Sequence, residues 1–355
     1  MQSANARHDD LHVKKLSLQL SWQHQFQFAG YYAAKEKGFY QDAGLDITLL
    51  PFKIGDDKPV DKVVSGKVDF AVGDTSLLID RAHFKPVKLL ANIIQHNPNI
   101  LLTLENSGIQ SMQDMVGKKI AFSLRDDATK AMLKSEGLSL DQLRITPQRD
   151  PVSALIKGKV DIISAYSSDI LAIFKQRGIN INTIRSSHIK HTFYGENIFT
   201  SERLILNQPE TVQAFVHASI KGWSYALENP HEIIEIIQRK YSQNKSREAL
   251  KFEANILKSL IAPHKTPIGD INVDRLKKIT QLYQSMSLIP SDFNAESILD
   301  DLSRTSTNPL SLSVQEQSWI DANPVVTIGV NPDLSPFEFI DHRGDYSGMT
   351  SDFIR

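Results

Sequence analysis

Through its first 200 residues the chain alternates short apolar strands with amphipathic helices. Leu16, Leu18, Leu20 and Trp22 alternate with Ser17, Gln19 and Ser21, the period of two that turns one face of a strand toward a core. A helix is predicted from about Phe28 to Lys37, stopping at Gly38, where a left-handed cap carries no Cβ penalty. "GLDITLLP" reads as the next strand. Strand, helix, strand in that order predicts an α/β fold with a mainly parallel sheet.

The pattern then repeats itself. "VSGKVDFAVGDTSLL" around Gly66-Lys67-Val68-Asp69 resembles "IKGKVDIISAYSSDIL" around Gly158-Lys159-Val160-Asp161. Each reads as a helix ending at glycine, a buried strand, a polar turn and another helix, and each follows an earlier strand, "KLSLQLSW" or "GKKIAFS". Two such units predict two lobes facing across a cleft, with ligand outside the carboxyl ends of the strands. The bland alternative is that "GKVD" is only a common helix-to-strand connector. From about Gln208 to Leu302, apolar residues at three- and four-residue spacing predict helices that cover one face of the first lobe.

"SRTSTNPLSLS" then reads as a linker, placed at residues 303–312, followed by a short helix, a strand and a second aromatic-bearing turn in 313–355. Roughly 40 residues are too few for an independent core, so this segment is expected to be the truncated start of a second domain. The expected layout is a tail at 1–14 and a solute-binding domain at 15–302. Its first lobe would take about 15–102 plus 200–302, and its second about 103–199.

Composition narrows the partners. Of 355 residues 41% are hydrophobic, and Lys+Arg 40 against Asp+Glu 41 leaves a net charge of -1, so nothing draws the chain to nucleic acid or an anionic membrane. A small molecule or another protein is the expected partner. No stretch approaches the roughly 20 apolar residues of a membrane span, so no direct membrane insertion is expected. The start, "MQSANARHDDLHVKK", lacks the apolar core of a secretory signal, so the chain is either cytoplasmic or stripped of a leader. With Cys 0, disulfides, thiolate metal sites and cysteine nucleophiles are excluded, though the compartment stays open.

The densest candidate chemistry is the turn after the first strand. Trp22, Phe26, Phe28, Tyr31 and Tyr32 sit beside Gln23, His24, Gln25 and Gln27, with no Lys or Arg from Ser21 to Ala34. Stacking and neutral hydrogen bonds are what such a wall offers a planar solute. Tyr31 and Tyr32 are about 100° apart on a helix, so one is expected to face the cleft while the other packs. The same division is expected of Phe26 and Phe28. Asp74-Thr75-Ser76 and Ser167-Ser168-Asp169 read as helix starts whose free N–H groups double as ligand sites. Asp126-Asp127 reads first as a favourable helix-terminal charge. His188 and His191 have the spacing of a helical metal pair, but neighbouring β-formers and a missing third ligand favour a loop. No phosphate-binding glycine loop, supported Ser-His-Asp order or basic nucleic-acid patch is present.

These motifs carry a resemblance. A strand ending in Leu-x-Trp, a polar turn, an aromatic-Ala helix, "KGFYQDAGLDI", "GKVDFAVGD" and "GKKIAFS" resemble periplasmic proteins that bind sulfonates, nitrate and thiamine precursors, and the fungal thiamine-pyrimidine synthases. The opening segment is especially similar to sensor ectodomains of histidine kinases and diguanylate cyclases. The tail, with "VTIGVNPDLSPFEF" and "GDYSGMTSDF", resembles the start of an amino-acid-type solute-binding family. The resemblance implies a type II-like two-lobed clamp, with hinge strands near Ile100 to Leu104 and Asn197 to Ser201, in a periplasmic or extracytoplasmic location. It also implies an aromatic stack from Trp22 on a pyrimidine ring and a carboxylate acceptor, assigned to Glu196 in "FYGENIF". The expected ligand-binding set is Trp22, Gln25, Phe26, Phe28, Tyr31, Asp74, Thr75, Ser123, Tyr166, Ser167, Tyr194 and Glu196, with no cofactor, metal or catalytic residue.

Expected partners are a small-molecule ligand and the downstream binding and signalling domains of a longer chain, or an ABC permease if the protein is a free importer receptor. The synthase alternative is disfavoured, because the family's reacting Lys and His positions fall near Gly73 and Leu77 and there is no Cys. A degenerate clamp that contacts only a partner protein is the remaining reading.

Overall fold

The computed structural model describes residues 13–300 apart from 54, 123–125, 185–191, 244 and 262–265, together with 322 and three short strands within 333–347. The alternating segment forms β1 (Lys14–Gln19), with Leu16 and Leu18 buried. A 3-10 turn at Phe26–Phe28 leads into α1 (Ala29–Glu36), then α2 (Phe39–Asp42) and β2 (Leu45–Leu50). Gly38, between the helices, takes φ 81°, the left-handed conformation expected of it. Then come α3 (Pro59–Val64), β3 (Phe70–Gly73), α4 (Leu77–Ala82), β4 (Val87–Ile94), β5 (Asn99–Leu104) and β6 (Lys119–Ala121). They are followed by α5 (Asp127–Ser135), β7 (Arg144–Ile145), α6 (Pro151–Ile156), β8 (Ile162–Tyr166), α7 (Ser167–Gln176), β9 (Ile181–Ile184) and β10 (Glu196–Ser201). A helical layer closes the domain: α8 (Glu202–Asn207), α9 (Pro209–Glu228), α10 (Pro230–Ile236), α11 (Arg247–Ile261) and α12 (Val273–Ser285).

One sheet has the order β2-β1-β3-β10-β4 and the other β7-β6-β8-β5-β9. The two orders are the same arrangement used twice. β1 pairs in parallel with β2 and β3, as β6 does with β7 and β8, whereas β10 and β5 run antiparallel to both of their neighbours. The sheets are therefore mixed, four strands of each running the same way and one, β10 or β5, the other. The chain passes from one sheet to the other and back, and the strands that follow the crossings enter against the parallel set.

The "GKVD" repeat has a physical role. Asp69 accepts the backbone N–H of Ser17 at 2.8 Å, and Asp161 accepts that of Lys119 at 2.8 Å. In each sheet the aspartate before the strand ties it to the neighbouring parallel strand, while Gly66 and Gly158 end the preceding helix at φ 74° and 67°.

The crossings lie at 95–98 and within 185–195, so the segments expected to be hinge strands are regular members of the sheets, β5 and β10. At the crossings the backbone is crowded: a Cβ on Gly195 would lie 2.5 Å from Ile94 Cγ2 and 2.9 Å from Pro98 Cδ. Arg275 binds both segments, donating to Gln95 O at 2.5 Å, Thr192 O at 2.8 Å and Phe193 O at 2.9 Å.

Within the helical layer, α9 packs on α1 through glycines on both helices. A Cβ on Gly222 would meet Gly30 O at 2.2 Å, and one on Gly30 would meet the Trp223 ring at 2.1 Å. The sequence places the whole layer on the first lobe, but α11 and α12 also touch the second. Gln176 of α7 donates to Ser246 at 3.2 Å, the Lys175 ammonium lies 5.8 Å from the Phe252 ring, and Lys134 of α5 donates to Ser285 O.

Residues 310–355 form a separate unit, in which β11 (Asp333–Leu334), β12 (Glu338–Ile340) and β13 (Tyr346–Ser347) make an antiparallel sheet. The expected linker at 303–312 lies outside the described residues. Among the described residues no helix is long and apolar enough to cross a membrane.

Gly30→Ala drives a methyl group into the Trp223 indole, and overpacking of this kind is expected to cost about 1–3 kcal/mol. Urea unfolding of the purified variant measures it; an unchanged midpoint would mean that the two helices separate without cost.

Candidate functional site

β1 and β3 end where β10, running the other way, begins: Asn197 pairs with Gly73. The turns after β1 and β3 therefore meet the first residue of β10, bringing Ser21, Asp74 and Glu196 together. Glu196 is 1% exposed. Its Oε1 accepts from Ser21 Oγ at 2.6 Å and from the Gln27 side-chain amide, whereas Oε2 is buried with no hydrogen-bond partner among the described residues. Burial pushes the carboxyl up to about 8 against the pull of the Ser21 and Gln27 hydrogen bonds, and the nearby Asp74 pushes the same way. The shift favours the uncharged acid near neutral pH, and Oε2 is the oxygen left without a partner among the described residues.

Trp22 is half-buried, with its ring 6.2 Å from that of Phe52 at an interplanar angle of 19°. Gln25 is buried and donates through Nε2 to Gln27 Oε1 at 2.6 Å. Asp74 caps its own turn, accepting from Ser76 N at 2.7 Å. From the second sheet, Tyr166 Oη reaches Gly195 O at 3.4 Å and Ser167 N donates to Pro98 O at 2.9 Å, so the start of α7 borders the same place.

The other predicted site residues are placed differently. Phe26, Phe28 and Tyr31 are all 0% exposed and belong to the core of the first lobe. Tyr31 stands edge-on to Trp223 at 5.6 Å, and Tyr32, also buried, stacks on Tyr241 at 4.3 Å with its hydroxyl 3.0 Å from His24 Nδ1. The expected division of each aromatic pair into a cleft-facing and a packing member does not occur, because α9 and α11 cover the outer side of the turn. Thr75 is buried against Tyr283, hydroxyl to hydroxyl at 3.0 Å. Tyr194 is turned into the crossing, where its hydroxyl accepts from Asn272 N at 2.8 Å and the Arg275 guanidinium lies 3.9 Å from its ring centre. Asp126 is a buried helix-start residue that accepts from Thr129 Oγ1 at 2.7 Å and from Ser164. Ser123, His188 and His191 lie outside the described residues.

Two residues beside the turn escaped the sequence reading. Lys245 Nζ donates to Gln25 Oε1 at 2.6 Å, to Asp169 Oδ1 at 2.7 Å and to Glu253, and Glu253 Oε2 accepts from Phe26 N at 2.9 Å. Both left a signal. Glu253 falls on the apolar stripe Leu250, Ala254, Leu257, Ile261 of α11, and Lys245 sits just before a helix start, where the macrodipole disfavours a cation. A depression of about 390 Å³ lined by Pro86, Ser201, Arg203 and Leu206 lies at the far end of the first sheet and shares no residue with this cluster.

Comparison with known proteins bears on the family and the fold. The riboflavin-binding protein RibY of Chloroflexus aurantiacus is 26% identical over 234 residues, 63% of this chain and 66% of that protein. The formylaminopyrimidine-binding protein of Halalkalibacterium halodurans is 22% identical over 240 residues, 66% of this chain and 72% of that protein. Other relatives are named as 4-amino-5-hydroxymethyl-2-methylpyrimidine phosphate synthases. The solved structure of the periplasmic sulfonate-binding protein SsuA from Methylobacillus flagellatus superposes with a TM-score of 0.63 at 18% identity, covering 83% of this chain and 94% of that chain. Residues 25–233, more than half of the chain, match the family described as NMT1/THI5 like. With its two mixed sheets flanked by helices, the chain is an α/β protein of the periplasmic-binding-protein fold and belongs to the NMT1/THI5-like family.

Proposed function

We propose that the chain is an extracytoplasmic solute-binding module for a planar, amino-bearing heterocycle of the aminopyrimidine class. The observation that carries this reading is the unpartnered, buried Oε2 of Glu196, whose other oxygen is held by Ser21, the residue before the half-buried Trp22. An aminopyrimidine edge sets a ring-nitrogen acceptor next to an amino donor. The open Oε2 of a carboxylic acid held through Oε1 by Ser21 and Gln27 donates its proton to the ring nitrogen. An indole face takes the ring by stacking. A sulfonate suits this place poorly, since Glu196 and Asp74 lie together with no cation between Ser21 and Ala34.

The separate unit at 310–355 favours a sensing role. In that role the module is the ligand-binding part of a membrane receptor, and ligand shifts the population of closed clamps. The free importer receptor is the alternative. The synthase reading is weakened by the structure: a Cβ at Gly73 would already lie 3.0 Å from the Phe199 ring, leaving no room for a lysine, and Leu77 is buried.

Calorimetric titration with a formylaminopyrimidine is the direct test, with riboflavin and taurine as comparators. Binding of the first and not of taurine is expected, and the reverse order would overturn the reading. Trp22→Ala and Glu196→Ala are each expected to weaken binding about tenfold or more, the scale of one lost buried contact. Affinity is expected to fall as pH rises through about 8, where Glu196 gives up its proton, and Glu196→Gln is expected to bind without that dependence.

Stability without ligand should show the same group. The carboxyl has its ordinary value of 4.5 when unfolded and about 8 when folded, so the folded state holds a proton that the unfolded state releases, and stability falls as pH rises from 4.5 to about 8. Denaturant midpoints at pH 5 and pH 8 measure the drop. Glu196→Gln should flatten it, with a remainder from Glu253, which burial shifts the same way against the pull of Lys245.

A further inference from the structure

The side chains behind Glu196 form one directed chain of hydrogen bonds that ends in the opposite lobe. Lys245 Nζ has only protons to give, so Gln25 must turn its Oε1 toward it, at 2.6 Å. That choice leaves Gln25 Nε2 to donate onward, to Gln27 Oε1 at 2.6 Å, and Gln27 Nε2 in turn donates to Glu196 Oε1. Each amide could be reversed in isolation. The cation at one end fixes both, and so sets Gln27 to present a donor rather than an acceptor to Glu196 Oε1, which Ser21 also holds.

The position of the cation is itself shared between the lobes. Glu253, 1% exposed on α11 of the first lobe, holds Lys245 from one side, and Asp169 in the first turn of α7, from the second lobe, holds it from the other at 2.7 Å. Burial alone would lower the ammonium's proton affinity; Glu253 and Asp169 raise it beyond the ordinary value, so the cation stays charged. The contacts of Lys175 with Phe252 and of Gln176 with Ser246 lie on the same α7–α11 interface.

We propose that Lys245 is a positioning residue that couples the approach of the two lobes to the orientation of Glu196: Asp169 completes its binding only when α7 meets α11, and Gln25 and Gln27 carry its polarity to the carboxyl group. The consequence for ligand affinity rests on the reading of Glu196 as the ligand's acceptor; the coupling itself does not, and its test uses no ligand.

The cysteine-free chain allows spin labels at exposed sites in the two lobes, Gln41→Cys and Lys157→Cys, and pulsed dipolar spectroscopy reads the distance between them. Lys245→Met and Asp169→Asn are each expected to lower the short-distance population about threefold, the scale of a partly exposed ion pair. The double variant is expected to do no more than either single one, as required if the two residues act through one contact. The second reading is the infrared carboxyl stretch of Glu196, assigned by its loss in Glu196→Gln. Lys245→Met should move that band to higher frequency as Oε1 loses its amide donor, and Asp169→Asn should move it part of the way.

Gln25→Leu cuts the relay but keeps the charged cluster, and should move the band without changing the distance; it also serves if Lys245→Met does not fold. Lys245→Arg should restore part of both signals. Additive effects on the distance would overturn the link between lobes, and a band unmoved in both Lys245→Met and Gln25→Leu would overturn the relay. Either failure would leave the aminopyrimidine reading standing, while failure of that ligand to bind would leave the coupling intact.

Discussion

The architecture depends on the close approach of the two crossing segments at Gly195. Only a residue without a Cβ lets the chain pass Ile94 and Pro98 at this distance, and the Gly195 N–H donates to Ile94 O at 2.7 Å in the same contact. Glu196 is the next residue, so the constraint that joins the lobes also fixes the height at which the carboxyl enters the first sheet. Arg275 reinforces it from α12 by binding carbonyls on both segments. Its guanidinium is largely buried, yet among the described residues it pairs with no carboxylate. It is neutralised by carbonyl dipoles and the Tyr194 ring face, an arrangement that suits its planar fork better than it would suit a lysine.

The site follows from where acids and cations are allowed. The wall from Ser21 to Ala34 carries no cation, so among the described residues Glu196 is held only by Ser21 and Gln27, and burial raises its affinity for a proton. Lys245 could have neutralised it directly. It is held two amides away instead, paired with Glu253 and Asp169, so its influence reaches Glu196 as hydrogen-bond direction rather than as charge. Reversing this placement would put an ion pair where Glu196 now keeps one oxygen open.

Much of the fold could be read from the sequence because it is written locally. The period of two in β1, the cap at Gly38 and the repeated Gly-Lys-Val-Asp each act within a few residues, and the repeat does mark matching positions in the two sheets. The mixed sheets could not be read, since strand direction after a crossing depends on a path through both lobes. In the candidate site, Glu196 and Trp22 could be proposed from the sequence by position, and the structure places Glu196 where β10 meets the turn after β1. The full burial of Phe26, Phe28 and Tyr31 could not be read, because aromatic residues on a surface wall and aromatic residues beneath it have the same composition; α9 and α11, nearly 200 residues away, cover them. Lys245 and Glu253 went unread although each breaks a local rule, one a cation before a helix start and the other a carboxylate on an apolar stripe.

Those broken rules share one cause. A charge placed where local physics disfavours it persists only if something distant compensates, and here each charge compensates the other. Glu253 also holds Phe26 N, at the start of the 3-10 turn, so the pair ties the ligand wall to α11 as well as to α7. A hydrophobic substitute for both residues would fill the same space and keep the helices packed. It would not fix the sense of the Gln25 and Gln27 amides, and with both orientations open Gln27 could face Glu196 Oε1 with either a donor or an acceptor. The ion pair is therefore better explained by the single arrangement it enforces than by the stability it adds.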